Sequence, residues 1–374
     1  MALLDMMCPR VPKCGIQITT GTQKDRFSQE PTPKFGNFFP FSGHTWGYVD
    51  ANPQGPTALL CLHGFPDLAY GYRHQIGPWA RAGFRVVVPD MLGYGTSDAP
   101  VDPAQYTSKR LANDLVALLD ALRIARAILI GHDWGAYAAG RVALWHPDRV
   151  QALVVMSVPY TPTPQKPMVL TDVVQRAPNL GYQLLLASPA AAPTIEANLA
   201  YFLSLMYTPP TAPAHITLAG TLQAALDAPA PDPLPPSLLK GSVLAAYLAA
   251  YRARGMTGPT NYYRTTHLRY REEAEASLAL PPTLSVLFIY GTRDPTIAPA
   301  ALKTQRRFAP RLTEVPLEGA GHWVMLEGSD DALFEGVLSD HDGEWWKAGT
   351  GDGGPVGREI LRWLADLKIG RAKL

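Results

Sequence analysis

The chain has 374 residues, of which 33 are Lys or Arg and 32 are Asp or Glu, so its formal net charge is +1. This balance gives no electrostatic reason to expect nucleic acid or an anionic membrane as a partner, and it favours a small neutral substrate. The three cysteines, Cys8, Cys14 and Cys61, are too few for a disulfide framework and lack metal-ligand spacing, so no metal or cofactor is expected.

The first part of the chain shows no pattern that predicts a helix or a strand. Residues 1–44 are assigned to an N-terminal extension, because the first 40 mix Pro, Gly and polar side chains without periodicity and are expected to wrap the surface or to be partly disordered. The start, MALLDMMCPR, lacks the basic region of a signal peptide, and no run approaches the roughly 20 apolar residues of a spanning helix. We therefore expect neither secretion nor a membrane span.

Apolar runs at regular intervals predict the first five strands. They are TWGYVD, TALLCL, FRVVVPD, RAILIG and ALVVMSVPY, which begin at residues 45, 57, 84, 126 and 152. Between the third and fourth runs, KRLANDLVALLDAL repeats leucine at helical spacing. Strands that alternate with helices predict an α/β fold with a mostly parallel sheet covered on both faces, whose first part spans residues 45–159.

A Gly-Pro turn, His63-Gly64-Phe65-Pro66, follows the second of these strands. Open α/β sheets place their sites at the carboxyl ends of strands, so the backbone N–H of Phe65 is a candidate donor to a developing oxyanion. The N–H of Trp134 would be its partner. The His63 side chain is interpreted as a structural histidine with satisfied hydrogen bonds.

The fourth strand runs into Gly131-His132-Asp133-Trp134-Gly135 and then an Ala-rich helix. This order resembles the G-x-S-x-G elbow, in which a sharp turn raises the central side chain above the sheet. Here that side chain is a carboxylate, which attacks carbon directly and forms an ester, so Asp133 is the predicted nucleophile. The structural alternative for Asp133 is a helix N-cap.

Residues 160–280 contain Pro-rich clusters between helical pieces and are predicted to form a mainly helical cap. A cap over the carboxyl edge of the sheet would exclude water from an apolar pocket. Strands resume at LSVLFIYG and RLTEVPL, in a second core part spanning residues 281–374.

Two further candidate catalytic residues follow these strands. Asp294 follows LSVLFIYG, and His322 follows RLTEVPL, so the order Asp133, Asp294, His322 is that of nucleophile, acid and histidine in α/β-hydrolases. His322 is the predicted general base and Asp294 the group that orients it. Asp294 is also a candidate helix N-cap, with Pro295 at the first helical position, and both roles could hold together.

No catalytic or binding role is predicted for the end of the chain. Residues 328–357 are interpreted as a surface insertion, with Trp345-Trp346 packing on the core or on a partner, and homodimer formation is left open. The final Ala372-Lys373-Leu374 resembles the S-K-L peroxisomal address, so a peroxisomal or cytoplasmic location is expected.

Together these residues resemble the soluble-type epoxide hydrolases of the α/β-hydrolase fold, especially fungal members. The likeness spans about residues 45–330 and the final helix. It depends on HGFPD at 63–67, residues 72–98, GHDWG at 131–135, YGTRD at 290–294 and GHW at 321–323. The resemblance implies hydrolysis of an epoxide to a vicinal diol through a covalent aspartyl ester, with an apolar epoxide and water as the reactants.

In that family two cap tyrosines activate the epoxide oxygen. Tyr182-Gln183-Leu184 and Gly258-Pro259-Thr260-Asn261-Tyr262-Tyr263-Arg264 match the family segments, which implies that Tyr182 and Tyr263 do so here, with Tyr262 as the alternative to Tyr263. Gln183 and Trp323 are expected in the substrate pocket.

Two other functions stay open. GHDWG is shared with haloalkane dehalogenases, which form the same ester but usually carry Asn where this chain has Phe65. A small-ligand binding protein without turnover is the second alternative.

Overall fold

The computed structural model describes residues 34–38, 43–212, 215–329, 331 and 351–369, the first of these ranges by its backbone alone. One sheet runs through this part of the chain. Its strands are β1 Lys34–Phe38, β2 Trp46–Ala51, β3 Ala58–Leu62, β4 Arg85–Pro89, β5 Ala127–His132, β6 Val150–Met156, β7 Ser285–Gly291 and β8 Arg311–Leu317.

Helices connect these strands. They are α1 Arg73–Arg81, α2 Ser108–Ala121, α3 Trp134–Trp145, α4 Leu170–Arg176, α5 Gln183–Leu186, α6 Ala191–Ala197, α7 Leu199–Met206, α8 Thr221–Asp227, α9 Gly241–Arg254, α10 Thr257–Asn261, α11 Thr266–Glu273, α12 Pro299–Phe308 and α13 Gly354–Asp366. Helices α4 to α11 all lie between β6 and β7 in the chain, and we call Leu170–Glu273 the inserted helices. They fall inside the predicted cap, whose boundaries stay a prediction.

The strand order across the sheet is β1-β2-β4-β3-β5-β6-β7-β8. Strands β3 to β8 pair in parallel, whereas β1 with β2 and β2 with β4 pair antiparallel. The five apolar runs and the two later ones therefore all form strands, as predicted. No strand was predicted within the N-terminal extension, but the backbone of residues 34–38 forms the edge strand β1 and pairs with β2 over its whole length.

The sheet is covered on both faces, and the buried strands alternate between two apolar clusters. In β5, Ile128 and Ile130 pack into the cluster that includes α1 and α13, while Ala127 and Leu129 pack into the one that includes α2, α3 and the inserted helices. Successive side chains of a strand point to opposite faces, so a strand buried on both sides is apolar throughout. This is why these runs have no polar alternation.

The parallel strands bring the predicted site residues to one edge. The turn at 63–66 follows β3, Asp133 follows β5, Asp294 follows β7, and His322 follows β8 by a short loop. Because parallel strands point the same way, their carboxyl ends meet at the same edge of the sheet. Residues 1–33, 332–350 and 370–374, which include Trp345-Trp346 and the C-terminal tripeptide, lie outside the described residues.

Candidate active site

Asp133 stands on a strained turn between β5 and α3. Its backbone has φ +51° and ψ −120°, a conformation that non-glycine residues rarely adopt and that recurs at functional sites. A Cβ on Gly131 would lie 2.3 Å from the carbonyl oxygen of Gly135, so glycine is needed where strand and helix meet. Asp133 occupies the N-cap position of α3, but its side chain makes no capping hydrogen bond. The carboxylate is therefore available for another role.

Two backbone N–H groups converge on this carboxylate. The Phe65 N–H donates to Asp133 Oδ1 over 2.8 Å, and the Trp134 N–H also hydrogen-bonds to the group. The β3 turn comes this close because Gly64 lacks a side chain, and an added Cβ would lie 2.4 Å from Asp133 Oδ1. Burial raises the pKa of Asp133, although His322 and the two N–H groups oppose the rise. The structure thus brings together both predicted oxyanion donors.

His63 holds the turn that carries Phe65. The Met91 N–H donates to its Nε2 over 2.9 Å, which makes Nε2 an acceptor, so Nδ1 carries the proton and donates to the Gly64 carbonyl over 3.0 Å. The ring is buried and packs edge-on against Tyr94. Both ring nitrogens are engaged within the core, as the structural interpretation of His63 requires.

His322 lies between two carboxylates. Its Nδ1 is 2.8 Å from Asp294 Oδ2, a hydrogen bond that fixes the ring, and its Nε2 is 3.8 Å from Asp133 Oδ2. Burial alone would lower the pKa of His322, but the charges of Asp294 and Asp133 outweigh it and raise the pKa to about 9. The imidazole faces the predicted nucleophile without being hydrogen-bonded to it.

Asp294 is held by a residue that the sequence did not single out. Both the N–H and the Oγ1–H of Thr296 donate to Asp294 Oδ1, over 2.8 and 2.7 Å. The expected N-cap role of Asp294 was wrong, because α12 begins only at Pro299 and Ala298 is its N-cap. Burial would raise the pKa of Asp294, but His322 and the two Thr296 donors hold it below its ordinary value. The carboxylate stays charged beside His322.

The His322 backbone is also fixed. Its carbonyl accepts hydrogen bonds from Ser157 Oγ over 2.7 Å and from His132 Nε2 over 2.9 Å. Burial and the neighbouring His322 lower the pKa of His132 to about 3, so that ring stays neutral. On either side, the Gly321 and Trp323 N–H groups donate to the Glu327 carboxylate over 2.6 and 3.0 Å. These partners follow no spacing rule that would identify them in the sequence.

Tyr182 and Tyr263 lie near Asp133 in a shared aromatic cluster. Their ring centroids are 6.4 Å apart, and Tyr263 also packs against Trp134 and Phe65 at 5.2 and 5.1 Å. Burial, and then the Asp133 charge, raise the pKa of Tyr182, while burial, Tyr182 and Asp133 raise that of Tyr263. Both phenols therefore stay protonated and can donate.

Tyr262, the alternative to Tyr263, is engaged elsewhere. Its hydroxyl is buried and donates to the carbonyl of Leu92 over 2.9 Å, in the core rather than toward Asp133. A phenol that already donates to a carbonyl has no second proton to offer a substrate. This contact favours Tyr263 over Tyr262 for a role at the nucleophile.

Two cavities meet at Asp133. The larger has a volume of about 610 Å³ and the smaller about 70 Å³, and Asp133, Tyr182 and Thr296 line both. Gln183 lines the larger cavity, and Phe65, His322 and Trp323 line the smaller one. Tyr263 lines neither cavity and is 3% exposed. The expected pocket residues thus divide between the two sides of the nucleophile.

The wall of the larger cavity is mostly apolar but carries three basic side chains. Prolines of residues 159–167 alternate there with Thr161, Thr163 and other side chains, and Lys166, Arg176 and Arg269 also line the cavity. The expectation of a neutral substrate was drawn from the net charge of the chain. Net charge does not show where individual charges lie, so it could not predict these three basic side chains in the cavity wall. Among the described residues no cluster of His, Cys, Asp or Glu could hold a metal ion, and no helix is long and apolar enough to cross a bilayer.

Comparison with known proteins supports the assignment of the fold. Residues 57–329 match the family described as alpha/beta hydrolase fold. Epoxide hydrolase A of Mycobacterium tuberculosis is 35% identical over 290 residues, which cover 75% of this chain and 88% of that protein. Epoxide hydrolase srdG of Neurospora crassa is 29% identical over 309 residues, which cover 78% of this chain and 90% of that protein.

A solved structure supports the same assignment of the fold. The crystal structure of epoxide hydrolase A from Mycobacterium thermoresistibile superposes with a TM-score of 0.68 at 32% identity, covering 79% of this chain and 94% of that one. The chain spans only 57% of the length of the bifunctional epoxide hydrolase 2 proteins of rat and mouse, with which it is 29% identical. The predicted fold is confirmed, and the chain belongs to the alpha/beta hydrolase fold family and, within it, to the epoxide hydrolases.

Proposed function

We propose that the chain hydrolyses an epoxide to a vicinal diol through a covalent ester on Asp133. The observation that carries the proposal is the arrangement around this carboxylate. A strained turn presents it, two N–H groups bind it, and His322 Nε2 lies 3.8 Å away with its other nitrogen fixed by Asp294. The relatives named above as epoxide hydrolases support the substrate class.

In the first step a carboxylate oxygen of Asp133 attacks an epoxide carbon from the larger cavity. A new C–O ester bond forms while the ring C–O bond breaks, and the leaving alkoxide takes a proton from Tyr182 or Tyr263. A phenol suits this task, because an alkoxide is a much stronger base than a phenolate. The raised pKa values of both tyrosines keep that proton in place until the ring opens.

In the second step His322 takes a proton from water, and the hydroxide attacks the carbonyl carbon of the Asp133 ester. The charge that develops on the carbonyl oxygen is stabilised by the N–H groups of Phe65 and Trp134. Collapse of this intermediate breaks the ester C–O bond and releases the diol, whose oxygen takes the proton from His322. The carboxylic acid left on Asp133 then gives its proton to the neutral His322, so Asp133 is a free carboxylate again and one water has been consumed.

Ester formation also prepares His322 for this role. The charge of Asp133 is one of three, with those of Asp294 and Glu327, that raise the pKa of His322, and the ester removes it. The pKa of the imidazole therefore falls in the intermediate, and His322 gives up the proton that it holds in the free enzyme. That proton replaces the one that the tyrosine gave to the alkoxide, and the neutral ring can then act as a base. Asp294 keeps Nδ1 protonated, so Nε2 is the nitrogen that accepts.

A panel of styrene-type, fatty-acid and terpenoid epoxides in ¹⁸O-labelled water tests the proposal. In a single turnover the label should enter the Asp133 carboxylate, because water attacks the ester carbonyl and not the substrate. Label that appears only in the diol would contradict the covalent route. Halide release from a haloalkane without diol formation would support the dehalogenase alternative, and ligand binding without turnover the non-catalytic one.

Peroxisomal import and homodimer formation remain predictions. The C-terminal tripeptide on which import depends lies outside the described residues. Fusion of the last ten residues to a fluorescent protein, with Leu374→Ala as a control, tests that address directly.

A further inference from the structure

We infer that Tyr207 is a positioning residue that ties the oxyanion loop, residues 63–67, to the base loop, residues 321–323. It thereby serves the hydrolysis of the ester more than its formation. The inference rests on the proposed function. Tyr207 follows directly after α7, one of the inserted helices, and is fully buried. It contacts the backbone that carries one oxyanion donor and the side chain next to the general base.

The first contact is with the oxyanion loop. The Tyr207 hydroxyl donates to the carbonyl of Pro66 over 2.5 Å, one residue beyond the N–H of Phe65 that binds Asp133. A buried carbonyl that loses its donor is destabilised, so this bond fixes the loop. Helix α9 adds two more bonds from Tyr247 and Tyr251 to Asp67, over 2.6 and 3.0 Å.

The second contact is with the base loop. The Tyr207 ring stacks on Trp323 with centroids 3.8 Å apart and planes at 13°, and the Trp323 indole N–H donates to the carbonyl of Met206 over 2.7 Å. Trp323 is the residue directly after His322. The junction of Met206 and Tyr207 therefore holds the base loop through a stacked ring and a hydrogen bond.

Both loops are needed most when water attacks the ester. In that step His322 must lie at hydrogen-bond distance from the water, while Phe65 N–H must meet the developing oxyanion. Ring opening needs neither the base nor the oxyanion, since it depends on Asp133 and the phenols. Loss of the Phe65 bond to the resting carboxylate would not slow attack, because that bond stabilises the charged form before it reacts.

Both phenols have contacts outside the two loops that Tyr207 joins. The Tyr182 N–H donates to the carbonyl of Thr217, and Tyr263 packs on Trp134 as well as on Phe65. A change confined to the Tyr207 hydroxyl should thus leave the ring-opening groups in place. This separation predicts different effects on the two half-reactions.

The test measures ester formation and ester hydrolysis separately by rapid quench and intact-protein mass spectrometry in single turnovers. In Tyr207→Phe we expect the hydrolysis rate constant to fall about tenfold, less than the loss for removing an oxyanion donor outright, and ester formation to change by less than about twofold. The ester should then accumulate at steady state. Trp323→Phe, which weakens the same junction from the other side, should shift the ratio in the same direction.

Tyr106→Phe is the matched control, because Tyr106 is also buried and its hydroxyl donates to the carbonyl of Pro100 over 2.7 Å, away from both loops. It should leave the ratio of the two rate constants unchanged. Equal slowing of both steps in Tyr207→Phe and Trp323→Phe, or no change in either variant, would overturn the inference alone. A native protein that forms no ester with any epoxide would overturn the proposed function together with it.

Discussion

The Nε2 of His322 lies 3.8 Å from Oδ2 of Asp133, beyond hydrogen-bond distance but close enough for each group to change the pKa of the other. A base placed to act on an ester of Asp133 needs this gap, because a water must enter beside the carboxylate. The same gap keeps the two groups electrostatically coupled before any substrate binds.

This coupling predicts the protonation of His322 in a variant without the charge. The pKa of His322 is raised to about 9 by Asp294 and Asp133 against the effect of burial. In Asp133→Asn one of these carboxylates becomes neutral, so the pKa of His322 should fall while the Asp294 contact remains. NMR titration of the imidazole ring protons measures the pKa of His322. An unchanged pKa would mean that Asp133 does not act on His322, and the proposed preparation of the base would fail.

The two phenols predict a selective loss of ring opening. A positioned general acid contributes roughly 10²- to 10⁴-fold, so Tyr182→Phe with Tyr263→Phe should lower the rate of ester formation by at least about 10²-fold. The fold should survive, because each change removes one hydroxyl and keeps the packed ring. Pre-steady-state ester formation and circular dichroism check the two statements. Ester formation at the native rate in the double variant would remove the tyrosines from the mechanism.

The fold and much of the candidate site could be predicted because their signals are local. Strands β2 to β7 are mainly apolar runs in the sequence, whereas β8 mixes apolar and polar residues. The positions of Asp133, Asp294 and His322 after these strands predict that they meet at one edge. Strand β1 escaped prediction because KFGNF has no apolar alternation, and its structure depends on the pairing partner.

What escaped prediction depends on contacts between distant parts of the chain. Thr296 matters because it donates to Asp294, and Tyr207 because it bridges residues 66 and 323. The N-cap interpretation of Asp294 failed because the turn after β7 continues to residue 298 before α12 begins. Such contacts cannot be predicted from the spacing of residues along the chain.

The buried ion pair between Arg141 and Glu273, at the wall of the larger cavity, predicts an effect on stability. Glu273, at the end of α11, accepts hydrogen bonds from Arg141, Ser108 and Tyr137, and both charged side chains are at most 1% exposed. Glu273→Gln leaves a buried guanidinium unpaired and should lower the free energy of unfolding by about 3–5 kcal/mol. Urea unfolding measures the loss. A change below 1 kcal/mol on that scale would show that the pair does not hold α11 to the core.

The pH dependence of this pair has a definite sign. Burial alone would raise the pKa of Glu273, but Arg141 and Ser108 hold it below the unfolded value of 4.5. A depressed pKa stabilises the folded state at pH values above 4.5, and this stabilisation is lost as the pH falls through the folded pKa. The difference in unfolding free energy between the native protein and Glu273→Gln should therefore shrink on acidification below pH 4.5. Its growth there would contradict the assignment.

The central claim is that Asp133 becomes covalently joined to its substrate before His322 activates the water that frees it. His322→Gln removes the base and leaves the nucleophile and both tyrosines, so this variant should form the ester and fail to release it. Intact-protein and peptide mass spectrometry after incubation with an epoxide that the native protein consumes measures this directly. The account predicts an adduct of one substrate mass on the peptide that contains Asp133, and a variant that stops turnover with no adduct would contradict it.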